Sequence, residues 1–293
     1  MHTASCSPVG TAGNDPRAAW LARGAVMLAS SMLATGLLAG CVATPAMTST
    51  SATTLPDAAS RANDEVGQAL ASLAREEIAS FSGARPGDSW PAPWAKTIVG
   101  PTKKRTAYDL VELDGRTVLR ARANSSASGL QKALDLDPSR RPLLEWSWRV
   151  QKLIPGADNT DRDAEDSPVR VILAFDGDKS TLPIQDRMLF ERAKLLTGRE
   201  LPYATLMYIW ENRAPVDSVI PNPHTGRVRK IVVASGEGDL GRWHSFRRNI
   251  IDDYRRAFGT DPGRLIGVGV MTDTDNTGES TEAFYGDLRL LAR

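Results

Sequence analysis

The sequence predicts a mainly β fold, a jelly-roll-like antiparallel β-sandwich with two or three peripheral helices. From residue 81 onward, short alternating or apolar runs are separated by turns rich in Gly, Pro, Asn and Asp, which is typical of antiparallel sheets. Helical periodicity is confined to a few segments. Apolar residues make up 41% of the 293 residues, which is enough for one hydrophobic core.

The N-terminal segment has the features of an export signal. Arg17 and Arg23 precede an apolar run over residues 25–38, whose length of about 14 residues is short of the roughly 20 that span a bilayer. The run ends at the pattern Leu-Ala-Gly-Cys, which resembles the processing site of bacterial lipoprotein precursors. The resemblance implies that residues 1–40 are a signal peptide and that Cys41 becomes the acylated first residue, carrying palmitate or a similar chain as a membrane anchor.

The residue after Cys41 bears on location. Resemblance to lipoprotein sorting signals implies the outer membrane, because Val42 stands where an inner-membrane retention signal would carry Asp. We therefore expect the mature protein in the cell envelope, attached through its lipid to the periplasmic face of the outer membrane.

Three segments are predicted to follow the signal peptide. Residues 41–56 are mainly Ser, Thr, Ala and Pro and carry no charge, which is typical of a flexible tether. Residues 57–80 are predicted to form an N-terminal helix, because apolar side chains such as Val66 and Leu70 recur at helical spacing. Residues 81–293 are predicted to form a single β-sandwich domain.

Within the sandwich domain, the alternation of apolar and polar residues sets the predicted strands. These are residues 107–113, 117–122, 143–150, 169–175, 206–211, 231–234, 243–249, 265–271 and 283–291. Asp114-Gly115, between the first two strands, is a strong signal for a hairpin turn. Helices are predicted at residues 185–196 and 251–258, and Gly259 is placed to cap the second.

Several motifs of this domain together resemble one family. They are W-x-W at residues 146–148, the acidic loop 158–166, Asn222-Pro223 followed by Arg227, Asp253-Tyr254, M-T-D-T-D-N-T-G at 271–278 and Y-G-D at 285–287. On these motifs the chain resembles the bacterial domain-of-unknown-function family 3047 over residues 81–291. The resemblance implies one β-rich domain and carries over no established activity.

The sequence also suggests a cation site at the end of a strand. Asp273, Asp275 and Asn276 offer oxygen ligands close together in one loop. Calcium takes six to eight oxygen ligands, and Asp287 or an acidic residue of loop 158–166 would complete the shell. The alternative is a stack of Asx turns, in which these side chains accept hydrogen bonds from backbone amides. Calcium is the only cofactor that the sequence suggests.

The acidic loop 158–166 has two interpretations. In one it is a solvated loop, as such runs of charge usually are. In the other it folds over the sheet edge, Asp166 pairs with Arg170 at the start of the next strand, and the remaining acidic side chains bind a cation or sugar hydroxyls.

Alternation along the last strand predicts a ligand-facing surface. Tyr285, Asp287 and Arg289 alternate with the apolar residues from Phe284 to Leu290, so they are expected to face away from the core. An aromatic ring beside carboxylate and guanidinium groups suits a sugar ligand. The candidate ligand-binding residues are Tyr285, Asp287, Arg289, Arg149, Arg170 and Asn222.

Composition narrows the function classes. A net charge of +1 provides no basic excess for a nucleic-acid partner. The two cysteines are Cys6, inside the signal, and Cys41, so neither a disulfide nor a Cys-ligated metal is expected. The sequence contains no H-E-x-x-H, G-x-S-x-G or Walker A pattern. These observations favour a ligand-binding or structural module over an enzyme. The face of Tyr285, Asp287 and Arg289, and the likeness of the predicted fold to carbohydrate-binding jelly rolls, favour carbohydrate or envelope glycan as its ligand, and an envelope protein is the alternative partner.

The competing hypothesis is a glycan-acting hydrolase. Two carboxylates that face each other across a groove can cleave a glycosidic bond. Glu211 and Asp287 are the candidate pair. The two hypotheses differ in turnover, because a binding module has none at any pH and loss of these carboxylates alters only its affinity.

Overall fold

Two β-sheets pack face to face in the computed structural model, which describes residues 75–100, 102–198, 200–223 and 225–293. The predicted mainly β sandwich is confirmed. The predicted signal peptide, the tether with Cys41 and most of the predicted N-terminal helix lie outside the described residues. Within the described ranges, no helix is both long enough and apolar enough to cross a bilayer.

Thirteen strands and two α-helices build the described part of the chain. The strands are β1 (Arg75–Ala79), β2 (Ala95–Ile98), β3 (Ala107–Leu113), β4 (Arg116–Asn124), β5 (Ala127–Leu136), β6 (Leu143–Val150), β7 (Ser167–Phe175), β8 (Ala204–Glu211), β9 (Val219–Pro221), β10 (Val228–Ser235), β11 (Trp243–Asn249), β12 (Leu265–Asp273) and β13 (Ser280–Leu291). The helices are α1 (Ile184–Thr197) and α2 (Ile250–Phe258), and short 3₁₀ turns lie at Phe81–Gly83 and Lys179–Thr181.

The strands form two sheets, called sheet A and sheet B. Sheet A has the order β11-β6-β13-β4-β3, and β1 pairs with the end of β13 that β4 leaves unpaired. Sheet B has the order β2-β5-β12-β7-β8-β10-β9. All strand pairs are antiparallel except β8 with β10, which run parallel. The chain crosses between these two strands by way of the short edge strand β9.

The core lies between the two sheets and is rich in aromatic side chains. Trp146 of sheet A stacks on Tyr208 of sheet B, with ring centroids 4.8 Å apart. Phe175 meets Tyr254 of α2 edge to face, also at 4.8 Å, so α2 packs against sheet B. Burying each side chain of this size contributes on the order of 1.5–3 kcal/mol. The side chains of the inner faces therefore form the core, and a ligand-binding site would have to lie on an outer face.

Two turns form as the sequence predicts. Asp114 and Gly115 both have positive φ, 52° and 74°, as a two-residue type I′ hairpin turn between β3 and β4 requires. Gly259 has a φ of 76° and ends α2 by donating its N–H to Arg255 O. Glycine and aspartate tolerate this left-handed region better than most residues, so both turns follow from residue type.

The structure corrects the C-terminal end of the predicted N-terminal helix. Arg75–Ala79 form strand β1, which pairs antiparallel with β13 between Leu288 and Leu291. Ile78 is 2% exposed and belongs to the core. An unpaired strand edge offers hydrogen bonds and burial that outweigh the local helical spacing.

Strand β5 was not predicted, because its sequence lacks a strand signal. It reads A-S-G-L-Q-K-A-L-D-L and contains many good helix formers. In the fold it pairs with β12 on one side and with β2 on the other. A Cβ at Gly129 would lie 2.6 Å from Val270 O, so glycine permits the close approach of β12.

A β-bulge interrupts the middle of β13. The register with β6 shifts between Tyr285 and Leu288, so Gly286 and Asp287 together oppose Ser147. A Cβ at Gly286 would lie 2.2 Å from Ser147 Oγ, which explains the glycine. Because of the extra residue, Tyr285 and Leu288 both face the core.

Candidate functional site

The structure distributes the predicted site residues over two regions. The first, called the polar centre, lies on the outer face of sheet B and contains Arg170, Asn222, Asp273, Asp275 and Asn276, together with Asn159, Glu165, Asp166 and Lys230. The second, called the sheet A face, is the outer face of sheet A and contains Arg149, Asp287 and Arg289, together with Glu145 and Trp243. Tyr285 belongs to neither region.

The polar centre is built around a bidentate ion pair between neighbouring strands. Arg170 Nε lies 2.8 Å from Asp273 Oδ1, and Nη2 lies 2.9 Å from Oδ2. The two side chains are 3% and 7% exposed. Burial raises the pKa of Asp273 to about 6, although the Arg170 charge acts in the opposite direction. Arg170 therefore pairs with Asp273, not with Asp166 as one interpretation of the acidic loop predicted.

Lys230 is fully buried beside this pair. Its Nζ lies 2.8 Å from Asn159 O and 2.9 Å from Glu165 Oε1. Burial, together with the Arg170 charge, lowers the pKa of Lys230 to about 8. Asn222 Nδ2 donates to the same Glu165 carboxylate at 3.1 Å, so this side chain fastens the acidic loop to sheet B.

Asp166 joins the acidic loop to the T-D-T-D-N-T-G loop. Its carboxylate accepts hydrogen bonds from Thr277 N at 2.8 Å, Thr277 Oγ1 at 2.7 Å and Asn276 N at 3.3 Å. Asn276 Nδ2 in turn donates to Arg162 O at 3.1 Å. In these bonds the acceptor of the backbone amides is Asp166 of the acidic loop, whereas the Asx-turn alternative assigned that role to Asp273, Asp275 and Asn276.

Three carboxylates of the polar centre are close enough to hold a cation. One oxygen from each of Asp166, Asp273 and Asp275 lies within 4.8 Å of the others. Cationic side chains already neutralise two of them, because Arg170 binds Asp273 and Lys103 forms an ion pair with Asp275. This charge balance favours a structural role for the cluster over a calcium site.

Backbone register places two rows of long side chains on the sheet A face. In one row, Trp243 of β11 lies opposite Arg149 of β6, and Arg149 lies opposite Phe284 of β13. In the other row, Glu145 of β6 lies opposite Arg289 of β13. Arg149 and Arg289 therefore share one outward face, with an aromatic side chain beside them.

The tip of the β3–β4 hairpin, residues 114–116, folds back over this face. Asp114 Oδ2 accepts hydrogen bonds from Arg149 Nη1 at 3.0 Å and from Trp243 Nε1 at 2.8 Å. The guanidinium of Arg116 lies 4.0 Å from the centre of a Trp243 ring. Strands β6 and β11 are two and three places from β4 in the sheet. A hairpin that continued straight along β4 could not make these contacts, because strands lie almost 5 Å apart.

Asp287 has a structural partner at the bulge. Its carboxylate accepts hydrogen bonds from Ser82 N at 2.9 Å and Ser82 Oγ at 2.6 Å, and Arg289 Nη2 lies 3.3 Å away. These bonds hold the 3₁₀ turn Phe81–Gly83 where β1 ends. Asp287 is not among the clustered carboxylates of the polar centre. Of the two residues predicted to complete the calcium ligand set, Asp287 does not join Asp273 and Asp275, whereas an acidic residue of loop 158–166, Asp166, does.

Tyr285 is fully buried, so its prediction as a ligand-facing side chain is wrong. Its hydroxyl lies 2.6 Å from Met271 O, to which it donates, and 2.9 Å from Thr272 Oγ1. Burial raises the pKa of Tyr285 well above the ordinary tyrosine value. The error comes from the bulge at Gly286, since simple alternation fails across an extra residue.

The two carboxylates considered for glycoside hydrolysis are held separately. Glu211 is 3% exposed and accepts hydrogen bonds from the backbone N–H groups of Asn159 at 3.2 Å, Arg213 at 2.5 Å and Ala214 at 2.8 Å. Asp287 lies on the other sheet. Each carboxylate is occupied by its own structural partners, and within the described ranges they share none.

Sequence reasoning missed four members of these regions, Glu145, Lys230, Trp243 and Asn159. Lys230 had a signal, because along its strand it falls on the same face as the apolar Val232. Trp243 also had a signal in the sequence, because residues 243 and 245 lie on the same face of a strand and Ser245 is polar. Asn159 had none, because an asparagine in a polar loop usually indicates only a turn.

Comparison with known proteins gives one family and several distant folds. The profile of a family described as "Protein of unknown function (DUF3047)" matches residues 92–289. No curated protein matches the sequence.

Among solved structures, the chain is similar to three glycan-cleaving proteins. The xyloglucanase domain of NopAA, a type three effector from Sinorhizobium fredii, has a TM-score of 0.33 at 10% identity, with 75% of this chain and 95% of that chain covered. Endoglucanase 3 of Trichoderma harzianum has a TM-score of 0.34 at 8% identity, with coverages of 70% and 100%. The Spr0440 glycoside hydrolase domain, Endo-D from Streptococcus pneumoniae R6, has a TM-score of 0.29 at 11% identity, with 68% of this chain covered. The chain spans only 21% of that protein's length. TM-scores this low carry no argument about activity.

Proposed function

The chain belongs to the family of proteins of unknown function DUF3047, and we propose that it is a glycan-binding module of the cell envelope. The observation that carries the proposal is the position of Trp243 next to Arg149 on the outer face of sheet A. A flat aromatic ring can stack on the apolar face of a sugar, while guanidinium and carboxylate groups bind its hydroxyls. The sheet A face offers both kinds of contact, because Glu145 and Arg289 lie on the same face, in the row beyond Ser147.

Two further features support this assignment. Trp243 is only partly buried, whereas Trp146 and Trp148 are 3% and 0% exposed and belong to the core. The Trp243 side chain is therefore not committed to the core. Trp243 and Arg149 also lie on paired strands, so their backbones are already ordered and binding costs little additional conformational entropy.

A glycan array followed by isothermal titration calorimetry on the purified full-length protein tests the proposal. We expect Trp243→Ala to weaken the binding of the best array ligand by about tenfold, because stacking on the ring is worth about 1–1.5 kcal/mol. Trp243→Tyr, which restores a flat ring, should retain most of the affinity.

The matched control is Tyr203→Ala. Tyr203 is also covered by a guanidinium, that of Arg227 at 4.0 Å, but it lies outside the sheet A face. This variant should bind glycan like the wild type. The proposal is overturned if the wild type binds no glycan on the array, or if the control loses as much affinity as Trp243→Ala.

We also propose that the protein is held in the envelope by a lipid on Cys41. The Leu-Ala-Gly-Cys pattern and the uncharged segment 41–56 support this location. We expect a palmitate analogue to label the wild type and not Cys41→Ser, which should also keep its signal peptide. Recovery of unlabelled wild type from the cytosol with its original N-terminus would contradict the proposal.

A further inference from the structure

We propose that the ligand of the sheet A face is an acidic saccharide, and that the hairpin tip occupies its site until the ligand displaces it. This inference rests on the proposed glycan-binding function. Asp114 and Arg116 each make a contact with the sheet A face that a bound acidic sugar would make in their place.

The Asp114 carboxylate lies where a sugar carboxylate would bind. One of its oxygens accepts from both Arg149 Nη1 and Trp243 Nε1, at 3.0 Å and 2.8 Å. A guanidinium and an indole N–H can only donate, so their convergence on one oxygen selects a strong acceptor such as a carboxylate. The side chains of Arg149 and Asp114 are 21% and 53% exposed, so the pair can exchange partners with solvent or ligand.

Arg116 covers the ring on which a sugar would stack. Its guanidinium lies 4.0 Å from the centre of a Trp243 ring. Arg116 is exposed, and among the described residues it has no ion-pair partner, so this contact with the indole is easily given up. A pyranose ring would take the same place.

Charge explains why the ligand should be acidic. When the tip leaves, Arg149 loses the carboxylate that neutralises it. Its Nε is already buried without a hydrogen-bond partner in the part of the chain that the structure describes. A neutral sugar would leave this guanidinium unpaired, whereas the carboxylate of a uronic acid restores the pair and can also accept from Nε.

The hairpin tip lies outside the pairing of β4 with β13. Strand β4 pairs with β13 only from Leu119 to Asn124. On β13 this pairing ends at Tyr285, and the bulge at Gly286 comes next. Residues 114–118 therefore lie outside the hydrogen-bond ladder between β4 and β13. Breaking the contacts of Asp114 and Arg116 therefore releases the tip from β6 and β11 and leaves the β4–β13 pairing intact.

The test uses Asp114→Asn with Glu112→Gln as its matched control. An Asn-Gly pair forms the same type I′ turn, so Asp114→Asn keeps the hairpin and removes the charge. Glu112 is exposed on the same hairpin, and its side chain makes no hydrogen bond or ion pair among the described residues. Glu112→Gln therefore removes one negative charge from the same hairpin without touching the sheet A face. The probes are uronic-acid oligosaccharides from pectate, alginate and hyaluronan, together with their carboxyl-reduced, neutral counterparts.

Calorimetry on the full-length proteins should give three results. Wild type binds at least one acidic probe about fivefold or more tightly than its carboxyl-reduced form. Asp114→Asn binds that acidic probe about fivefold more tightly than wild type, because the competing tip is weakened. Glu112→Gln binds it like wild type.

The contrary results separate this inference from the proposed function. If carboxyl reduction leaves affinity unchanged, the site binds glycan but does not select acids, and the inference is overturned alone. If Asp114→Asn weakens acidic binding, Asp114 belongs to the binding surface and is not a competitor. If none of the probes and no array glycan binds, the proposed function fails as well.

Discussion

The polar centre and the sheet A face each contain an arginine–aspartate ion pair, and the two pairs differ in how far their side chains are exposed to solvent. Arg170 and Asp273 are 3% and 7% exposed, whereas Arg149 and Asp114 are 21% and 53% exposed. Separating the buried pair would leave Arg170 shielded from water with only Glu165, 4.0 Å away, as a counter-charge, so that pair is committed to the structure. The exposed pair costs little to separate. Burial, rather than residue type, therefore decides which arginine is available to a ligand.

Removing one carboxylate from each pair should expose this contrast most strongly. We expect Asp273→Ala to lower the free energy of unfolding by about 3–5 kcal/mol, because the buried Arg170 then loses its bidentate partner and keeps only Glu165, 4.0 Å away, as a counter-charge. Asp114→Asn should lower it by no more than about 1 kcal/mol. Urea unfolding followed by circular dichroism measures both changes. Similar losses in the two variants would show that burial does not distinguish the regions.

Glycines on the two outer faces sharpen the comparison. Gly286→Ala should cost about 1–3 kcal/mol, because its Cβ would lie 2.2 Å from Ser147 Oγ. Gly267→Ala in sheet B is the control, since the new Cβ would make an ordinary 3.6 Å contact with Ala174. That variant should change stability by about 0.5 kcal/mol or less in urea unfolding. Adding Ser147→Ala to Gly286→Ala removes the clashing oxygen and should recover most of the loss, and a failure to recover would point to backbone strain instead.

The buried lysine of the polar centre should make stability depend on pH. The pKa of Lys230 is about 8 in the folded protein, against an ordinary value of 10.5. Between these values the unfolded chain binds more protons, so stability rises with pH. From pH 8 to 10 we expect wild type to gain about 1–2 kcal/mol relative to Lys230→Met, which lacks this titration.

Urea unfolding at several pH values from 7.5 to 10 gives this difference. Lys104→Met is the control, because Lys104 is exposed, and its difference from wild type should stay constant with pH. A constant difference for Lys230→Met as well would mean that burial does not depress the pKa of this lysine.

Strands that carry their own pattern could be predicted, and strands that depend on a partner could not. The predicted strands 107–113, 143–150 and 243–249 have the observed bounds, because apolar and polar residues alternate along them. Strand β1 forms because β13 leaves part of its edge unpaired, and β5 forms between two neighbours. Neither condition is visible in the local sequence.

The candidate site shows a similar limit. The acidic and T-D-T-D-N-T-G loops supply the candidate residues, and the structure does bring Asp166, Asp273 and Asp275 together. The cations that reach them come from distant parts of the chain, so their pairing could not be predicted. A single extra residue at Gly286 reversed the expected direction of Tyr285, because alternation has a period of two.

Calcium should have the smallest effect, and it tests whether the polar centre is complete without a ligand. Arg170 and Lys103 already neutralise Asp273 and Asp275, so a calcium ion would have to displace a cation to bind. We expect millimolar calcium, compared with EDTA, to change the Tm of wild type by less than about 1 °C.

Lys103→Ala removes the partly exposed partner of Asp275 and should create a calcium-dependent rise in Tm, since the local charge becomes more negative by one unit. A rise of several degrees in the wild type would mean that the carboxylates bind calcium in spite of their cations, and the polar centre would then be a ligand site like the sheet A face.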